Sequence, residues 1–284
     1  MKGASRPLLS SILEARTGQQ LTNGRMWRIE AALQSLMRAH GVPAVDQLIA
    51  KLASGRDDEL AELVVDALLN KETYFFRDIR SFTLLLEGAL RRMKDARASQ
   101  RRLSIWCAGC STGQEVYSLA MAFAEDEERW AGWTIDLLGT DVSRPAIEQA
   151  KQGRYSQFEV QRGLPISKMI RWFAQSESQE WQVRAELRRK VRFQVHNLVR
   201  SAPPPGRFDL ILCRNVLLYF SEPVRRQVFG ALAAAGAPDA TLMLGAGETA
   251  LGQTNDFVSD PEFRGLYVRN SEASSAHQPR TNAA

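Results

Sequence analysis

Cysteine, histidine and long apolar runs are what this 284-residue chain has little of. Three cysteines, Cys107, Cys110 and Cys213, are too few and too odd in number for a disulfide framework, which favours a reducing, cytoplasmic setting. Three scattered histidines (His40, His196, His277) and no second cysteine pair give no zinc-type ligand spacing, so no metal is expected. No apolar run approaches the roughly 20 residues of a membrane span. Glu14 and Arg16 fall where the apolar part of a secretory signal would have to continue, so neither export nor membrane insertion is expected.

What is present is an ordinary globular composition, 44% hydrophobic and 24% charged, in a chain long enough for one large domain or two modest ones. The net charge of +5 is uneven. Residues 1–56 carry eight Lys/Arg against three Asp/Glu, residues 91–102 six against one, and residues 184–192 five against one. Such runs point to an acidic partner, nucleic acid or protein, or else to solvated helix faces.

Periodicity divides the chain. Residues 8–70 read as helices: "NGRMWRIEAALQSLMRAHG" places apolar residues at 26, 29, 33, 36 and 37, with Gly41 as a stop. From about 100, short apolar runs alternate with helical stretches, the pattern of a mostly parallel, doubly wound α/β sheet that binds ligands at the C-terminal ends of its strands. The expected organisation is a helical domain over 1–70, a linker helix over 71–100 carrying "TYFFRD", an α/β domain over 101–270, and a disordered tail over 271–284.

Four stretches carry candidate chemistry. "WCAGCSTGQE" (106–115) joins the first strand of that sheet to a helix. Gly109 and Gly113 permit a tight turn and close approach of a ligand, and the helix N-terminus favours an anion. It lacks both the G-x-G-x-x-G fingerprint and a P-loop lysine. "LLGTDV" ends a second strand in Asp141, where such folds bind ribose hydroxyls; on the residues alone this reads as a nucleoside cofactor site or as a structural turn with a capping Asp. Cys107 and Cys110 form C-x-x-C, a redox pair or, on better grounds, small apolar filling. "FDLILCRNVLLYF" (208–220) runs an apolar strand into Arg214 and Asn215, with Tyr219 four residues on. "NKETYFFRD" (70–78) sets Arg77 directly behind Phe75 and Phe76, either as a solvated neighbour of core aromatics or as the closure over a charged ligand.

In order and spacing, "TYFFRD", "WCAGCSTGQEVYSLA", "GTDVSRPAIEQAKQGRYS", "VRFQVHNL", "FDLILCRNVLLYF" and "GAGETALG" resemble the CheR-type methyltransferases, from about Leu8 to Arg269. Members of that family methylate glutamates on bacterial chemotaxis receptors. The resemblance implies a Rossmann-like S-adenosylmethionine-dependent domain, preceded by a small all-α docking domain and carrying a small β-subdomain at about 171–196. It implies Thr73 and Arg77 at the cofactor or reaction centre, Glu115 on the methionine portion, Asp141 on the ribose, and Asn197 and Leu198 against the adenine. Arg214 and Asn215 would line the cleft, and Tyr219 would sit with Arg77 near the transferred methyl. Lys71 takes a cofactor-side position where the family usually has Asn or His, and Gln114 replaces a common Glu.

The family's docking helix on the acidic receptor stalk corresponds here to the segment with Arg25, Arg28 and Arg38; Ala32, Ser35 and Leu36 stand where further arginines are common. Receptors tethered by a C-terminal peptide are gripped by a glycine-bearing loop, and this chain has no glycine between 164 and 205, so no tether is expected. Two other classes are weighed: a cofactor-binding signalling module without transferase activity, against which Arg77 and Tyr219 argue, and a methyltransferase for nucleic acid or another protein, for which an N-P-P-Y-type edge is lacking.

Overall fold

The computed structural model describes residues 5–21, 26–54, 57–176 and 179–270, apart from the side chains of residues 5 and 26–29. The expected tail, 271–284, and Arg25 lie outside the described residues. The chain divides into two compact units, Met1–Lys71 with Tyr219–Val224, and Glu72–Leu218 with Arg225–Ala284.

The first unit is built from α1 (Ser5–Thr17), α2 (Met26–Ala39), α3 (Val45–Ala53) and α4 (Asp58–Leu68). Leu9 and Leu13 of α1, Leu33 and Met37 of α2, Leu48 of α3, and Leu60 and Val64 of α4 form its core. Each follows the three-to-four spacing of an amphipathic helix. Gly41, at φ +61°, ends the α2 segment and lets the Val42 N–H bond Met37 O at 2.8 Å. The Asp57 carboxylate accepts the Leu60 N–H at 2.9 Å, starting α4. The stretch after residue 218 returns to this unit, where the Gln20 N–H bonds Tyr219 O at 2.7 Å.

The second unit holds a seven-stranded sheet. Its strands are β1 (Arg102–Ala108), β2 (Thr134–Asp141), β6 (Val191–Val195), β7 (Phe208–Cys213), β8 (Gly236–Leu244), β9 (Phe257–Ser259) and β10 (Leu266–Arg269), in the order β6-β2-β1-β7-β8-β10-β9. The first five are parallel, and β10 and β9 turn back antiparallel. Sequence order reverses at β1, with β2 on one side and β7 on the other, which opens a crevice at the strands' C-terminal ends. Along β1, Leu103, Ile105 and Cys107 join one buried cluster, while Trp106 packs against Phe208 and, edge-on, His196. That alternation of faces makes this a doubly wound α/β fold.

Two sequence expectations are corrected. Lys71–Asp78 is not part of a helix: it is extended and then turned, and helix resumes as α5 (Ile79–Leu84), a wide π turn (Leu85–Ala89) and α6 (Leu90–Ala96). Phe76 and Asp78 have φ of 51° and 56°, left-handed values that a right-handed helix cannot contain. The turn lets neighbouring rings be buried together, Phe75 edge-on to Tyr155 (5.2 Å) and Phe173 (5.5 Å), and Phe76 against Phe82. The second correction concerns the 171–196 insertion. The small antiparallel sheet, in the order β3-β5-β4, comprises β3 (Arg154–Tyr155), β4 (Phe173–Gln175) and β5 (Trp181–Val183), whereas Val191–Val195 pairs with β2 in the main sheet.

Half of the six basic residues of the run 91–102 are paired within their own unit. Arg92 pairs with Asp260, Arg97 with Asp209 (2.7 Å) and Asp239 (2.5 Å), and Arg102 with Asp136. Among the described residues, no helix is long and apolar enough to cross a membrane.

Candidate active site

The site is assembled at the strands' C-terminal ends. After β1 the chain passes through Gly109 (φ +79°), Ser111 (φ 51°) and Gly113 (φ +92°) into α7 (Gln114–Glu125). The Gly109 and Cys110 N–H groups both donate to Thr140 O, at 2.7 and 2.8 Å, fastening this turn to β2. A Cβ on Gly109 would lie 2.4 Å from Val216 Cγ2, and one on Gly113 would lie 2.9 Å from Ala150 Cβ. Positive φ and close protein packing therefore demand these glycines; the close approach expected of a ligand is made by side chains.

Asp141 ends β2 with both oxygens engaged: Oδ2 accepts the Ser111 N–H (2.8 Å) and Oδ1 the Ser143 N–H (2.9 Å). It is not a helix cap. Ser143 caps α8 (Arg144–Gln152), its Oγ accepting the Ala146 N–H at 3.2 Å. The His196 N–H donates to Asp141 O at 2.9 Å, which brings the next residue, Asn197, to the same edge. Asn197 Oδ1 accepts the Val199 and Arg200 N–H groups at 3.0 and 3.2 Å, and Leu198 is buried.

Arg214, at the end of β7, is the hub. Its Nη1 donates to Glu115 Oε2 at 2.6 Å, and its Nη2 to Asp78 Oδ2 at 2.8 Å and Arg77 O at 2.9 Å. The side chain is 2% exposed. Burial pushes its pKa down, but the charge and hydrogen bond of Glu115, with Asp78, outweigh this and hold it above the ordinary arginine value, so the guanidinium stays charged. Two carboxylates on one guanidinium leave a net charge of about −1.

Among the described residues, three buried side-chain polar atoms lack a hydrogen-bond partner: Arg214 Nε, Asn215 Oδ1 and His196 Nδ1. Each belongs to a residue at or just past the end of β6 or β7. Since an unsatisfied buried group costs about 1–3 kcal/mol, the set fits a polar ligand seated at this edge.

Arg77 is half-buried. Its Nη1 donates to Glu72 O at 3.0 Å, and its guanidinium lies 5.4 Å from the centre of the Tyr74 ring. The Phe75 and Phe76 rings anchor the turn beneath it, and Tyr74 carries the guanidinium. The Phe76 N–H donates to Ser118 Oγ of α7 at 2.9 Å, pinning the turn. Thr73 is half-buried just ahead of it.

The remaining candidates fall in the first unit. Lys71 pairs with Asp66 at 2.8 Å, and the Tyr219 hydroxyl accepts a hydrogen bond from Asn70 Nδ2. Arg38 is exposed on α2, whereas the Arg28 side chain, like Arg25, lies outside the described residues.

Sequence reasoning passed over Asp78 and Glu248, although both stood inside quoted motifs. Their defining partners are distant in sequence, Arg214 for Asp78 and the N–H groups of Asn215, Val216 and Leu218 for Glu248. The three cysteines are buried and free. Burial pushes each thiol's pKa up, reinforced by Glu115 at Cys107, Asp141 at Cys110 and Glu248 at Cys213. Thiols held protonated are poor redox groups and good apolar filling. Among the described residues, no group of His, Cys, Asp and Glu could hold a metal.

A glycine turn after β1, an acid closing β2 and a polar cluster at the ends of β6 and β7 define a nucleoside-cofactor crevice in an α/β enzyme. A family model described as CheR methyltransferase, SAM binding domain, matches residues 71–262. The chain belongs to this family and is an S-adenosylmethionine-dependent methyltransferase. It is 34% identical over 244 residues to chemotaxis protein methyltransferase 1 of Pseudomonas aeruginosa, covering 85% of this chain and 88% of that one. It is 32% identical over 250 residues to the chemotaxis protein methyltransferase of Vibrio anguillarum, covering 87% and 90%.

Proposed function

We propose that the chain transfers the methyl group of S-adenosylmethionine to the γ-carboxylate of glutamates on the cytoplasmic helical part of a chemoreceptor or receptor-like protein, leaving a glutamate methyl ester and S-adenosylhomocysteine. The observation that carries this reading is the Glu115–Arg214–Asp78 cluster around the buried Arg214, which ties the turn bearing Arg77 to the edge where Asp141 and Asn197 lie.

The bound cofactor supplies an electrophilic sulfonium methyl. The protein's part is to hold it, to orient the acceptor and to exclude water. The residual negative charge of the Glu115 cluster suits the methionine ammonium, and Asp141, already fixed by two backbone N–H groups, suits the ribose hydroxyls, since a carboxylate oxygen accepts more than one hydrogen bond. Asn197 and Leu198 take the adenine side; Lys71, Thr73, Arg214 and Asn215 complete the binding set. A glutamate side chain, with an ordinary pKa of about 4.3, is already ionised at neutral pH, so no general base is required. Arg77 orients that carboxylate through charge-assisted hydrogen bonds and Tyr219 fixes its second oxygen. The ester product is neutral, so its attraction to Arg77 is lost and it leaves.

Arg25, Arg28 and Arg38 are assigned to docking on the receptor, without a C-terminal peptide tether. The ion pairs of Arg92, Arg97 and Arg102 engage half of the basic residues of 91–102, which weakens the case for a nucleic-acid partner. No metal is invoked.

The test is transfer of radiolabelled methyl from S-adenosylmethionine into membranes of source cells lacking this protein, followed by alkali. Release of the label as volatile methanol is expected of a carboxyl ester. Alkali-stable label would sink the glutamate reading.

A further inference from the structure

Glu248 lies in the turn after β8, inside "GAGETALG", and has no part in the reaction described above. Its carboxylate collects four backbone N–H groups. Oε2 accepts from Asn215 (2.7 Å) and Gly245 (2.8 Å), and Oε1 from Val216 (2.9 Å) and Leu218 (3.2 Å). Four convergent N–H dipoles form a nest for one anion, and here a side chain of the same unit fills it. Three of the four belong to the segment that runs from Arg214 toward Tyr219. Asn215 within it has φ of 59°, a left-handed value that asparagine reaches more readily than other non-glycine residues but still at some cost in strain. The approach is also close from the β8 side, since a Cβ on Gly245 would lie 2.8 Å from both Asn215 N and Glu248 Oε2.

We propose that Glu248 is a positioning residue for the cofactor cleft: by clamping the ends of β7 and β8 it fixes the left-handed Asn215 and the Arg214 beside it in the orientation that meets the ligand. The inference rests on the reading that Arg214 and Asn215 line that cleft. The clamp demands a carboxylate. Glutamine offers one oxygen and one NH2, and the NH2 would face two N–H donors with nothing to accept them. Aspartate is one methylene too short to reach both pairs.

The experiment is calorimetric titration of S-adenosylhomocysteine into the wild type, Glu248→Gln and Asn215→Ala, with melting curves and steady-state kinetics of each. Folded Glu248→Gln is expected to bind about tenfold more weakly, the scale set by leaving buried donors unsatisfied. KM for S-adenosylmethionine should rise in step, while kcat at saturation stays within about threefold, the split expected when binding rather than the chemical step is lost. Wild-type affinity in folded Glu248→Gln, beside weakened Asn215→Ala, overturns the proposal and leaves the cleft reading standing. Wild-type affinity in both variants removes the cleft reading and the proposal with it. A loss of kcat in proportion to the unfolded fraction, with affinity intact, shows a merely structural role and also overturns it. Should Glu248→Gln fail to fold, Gly245→Ala disturbs the same junction with the carboxylate retained; the same tenfold weakening is expected, and wild-type affinity overturns the proposal.

Discussion

Arg77 and Arg214 are both arginines of quoted motifs, yet their surroundings give them different work. Arg214 is enclosed, bound to Glu115, Asp78 and the Arg77 carbonyl, so its charge is spent on holding the turn to the sheet. Arg77 is half-buried and carried on the face of Tyr74, which is why the proposed function assigns the incoming carboxylate to its guanidinium. Replacing Arg77 with alanine should therefore lower kcat by about 100-fold, the scale of lost orientation at a reacting centre, while S-adenosylhomocysteine affinity measured by calorimetry changes little. Equal losses in both would place Arg77 on the cofactor instead. The sequence named both arginines but could not separate their roles, since burial and partners across more than a hundred residues divide them.

The element that decides the site is the turn over residues 73–78. Its two left-handed residues, Phe76 and Asp78, are stabilised by buried rings below, by Ser118 Oγ on the Phe76 N–H, and by close contact with the loop at Gly163. Gly163 has φ +83°, and a Cβ there would stand 2.1 Å from Phe75 O. Because that neighbour is backbone, it cannot swing aside. Gly163→Ala should cost about 1–3 kcal/mol, combining strain with displacement, visible as a fall of several degrees in the melting midpoint. Activity at a temperature where the variant remains folded should fall as well, since Arg77 rides on the displaced turn. An unchanged midpoint would mean that the loop and the turn are less tightly coupled than their geometry requires.

At the scale of the whole molecule, the basic composition that drew attention to acidic partners is partly an internal matter. Asp260 shows it best. Burial would raise its pKa, yet the Arg92 hydrogen bond and the N–H groups of Glu262 and Phe263 bring it below the ordinary carboxylate value. Because the folded-state pKa is depressed, its stabilisation is present in full above the unfolded value of about 3.9 and is lost as pH falls through the folded value. Melting midpoints of the wild type and Asp260→Asn should thus differ at neutral pH and converge in acid; a gap independent of pH would disprove the linkage.

Periodicity and motif order were enough for the helical segment, the doubly wound sheet and the family, because each depends on local apolar spacing and on residue types fixed along the chain. The positions of Asp141, Arg214 and Asn215 at strand ends were legible for the same reason, whereas Glu115 was singled out by the family resemblance alone. The tertiary structure alone decided that "TYFFRD" is a left-handed turn rather than helix, that Val191–Val195 pairs with β2 in the main sheet, that the glycines make room for Val216 and Ala150, and that Glu248 closes the end of β7. Those facts depend on which surfaces meet across long separations, where steric fit and the need to satisfy buried polar groups override local preference.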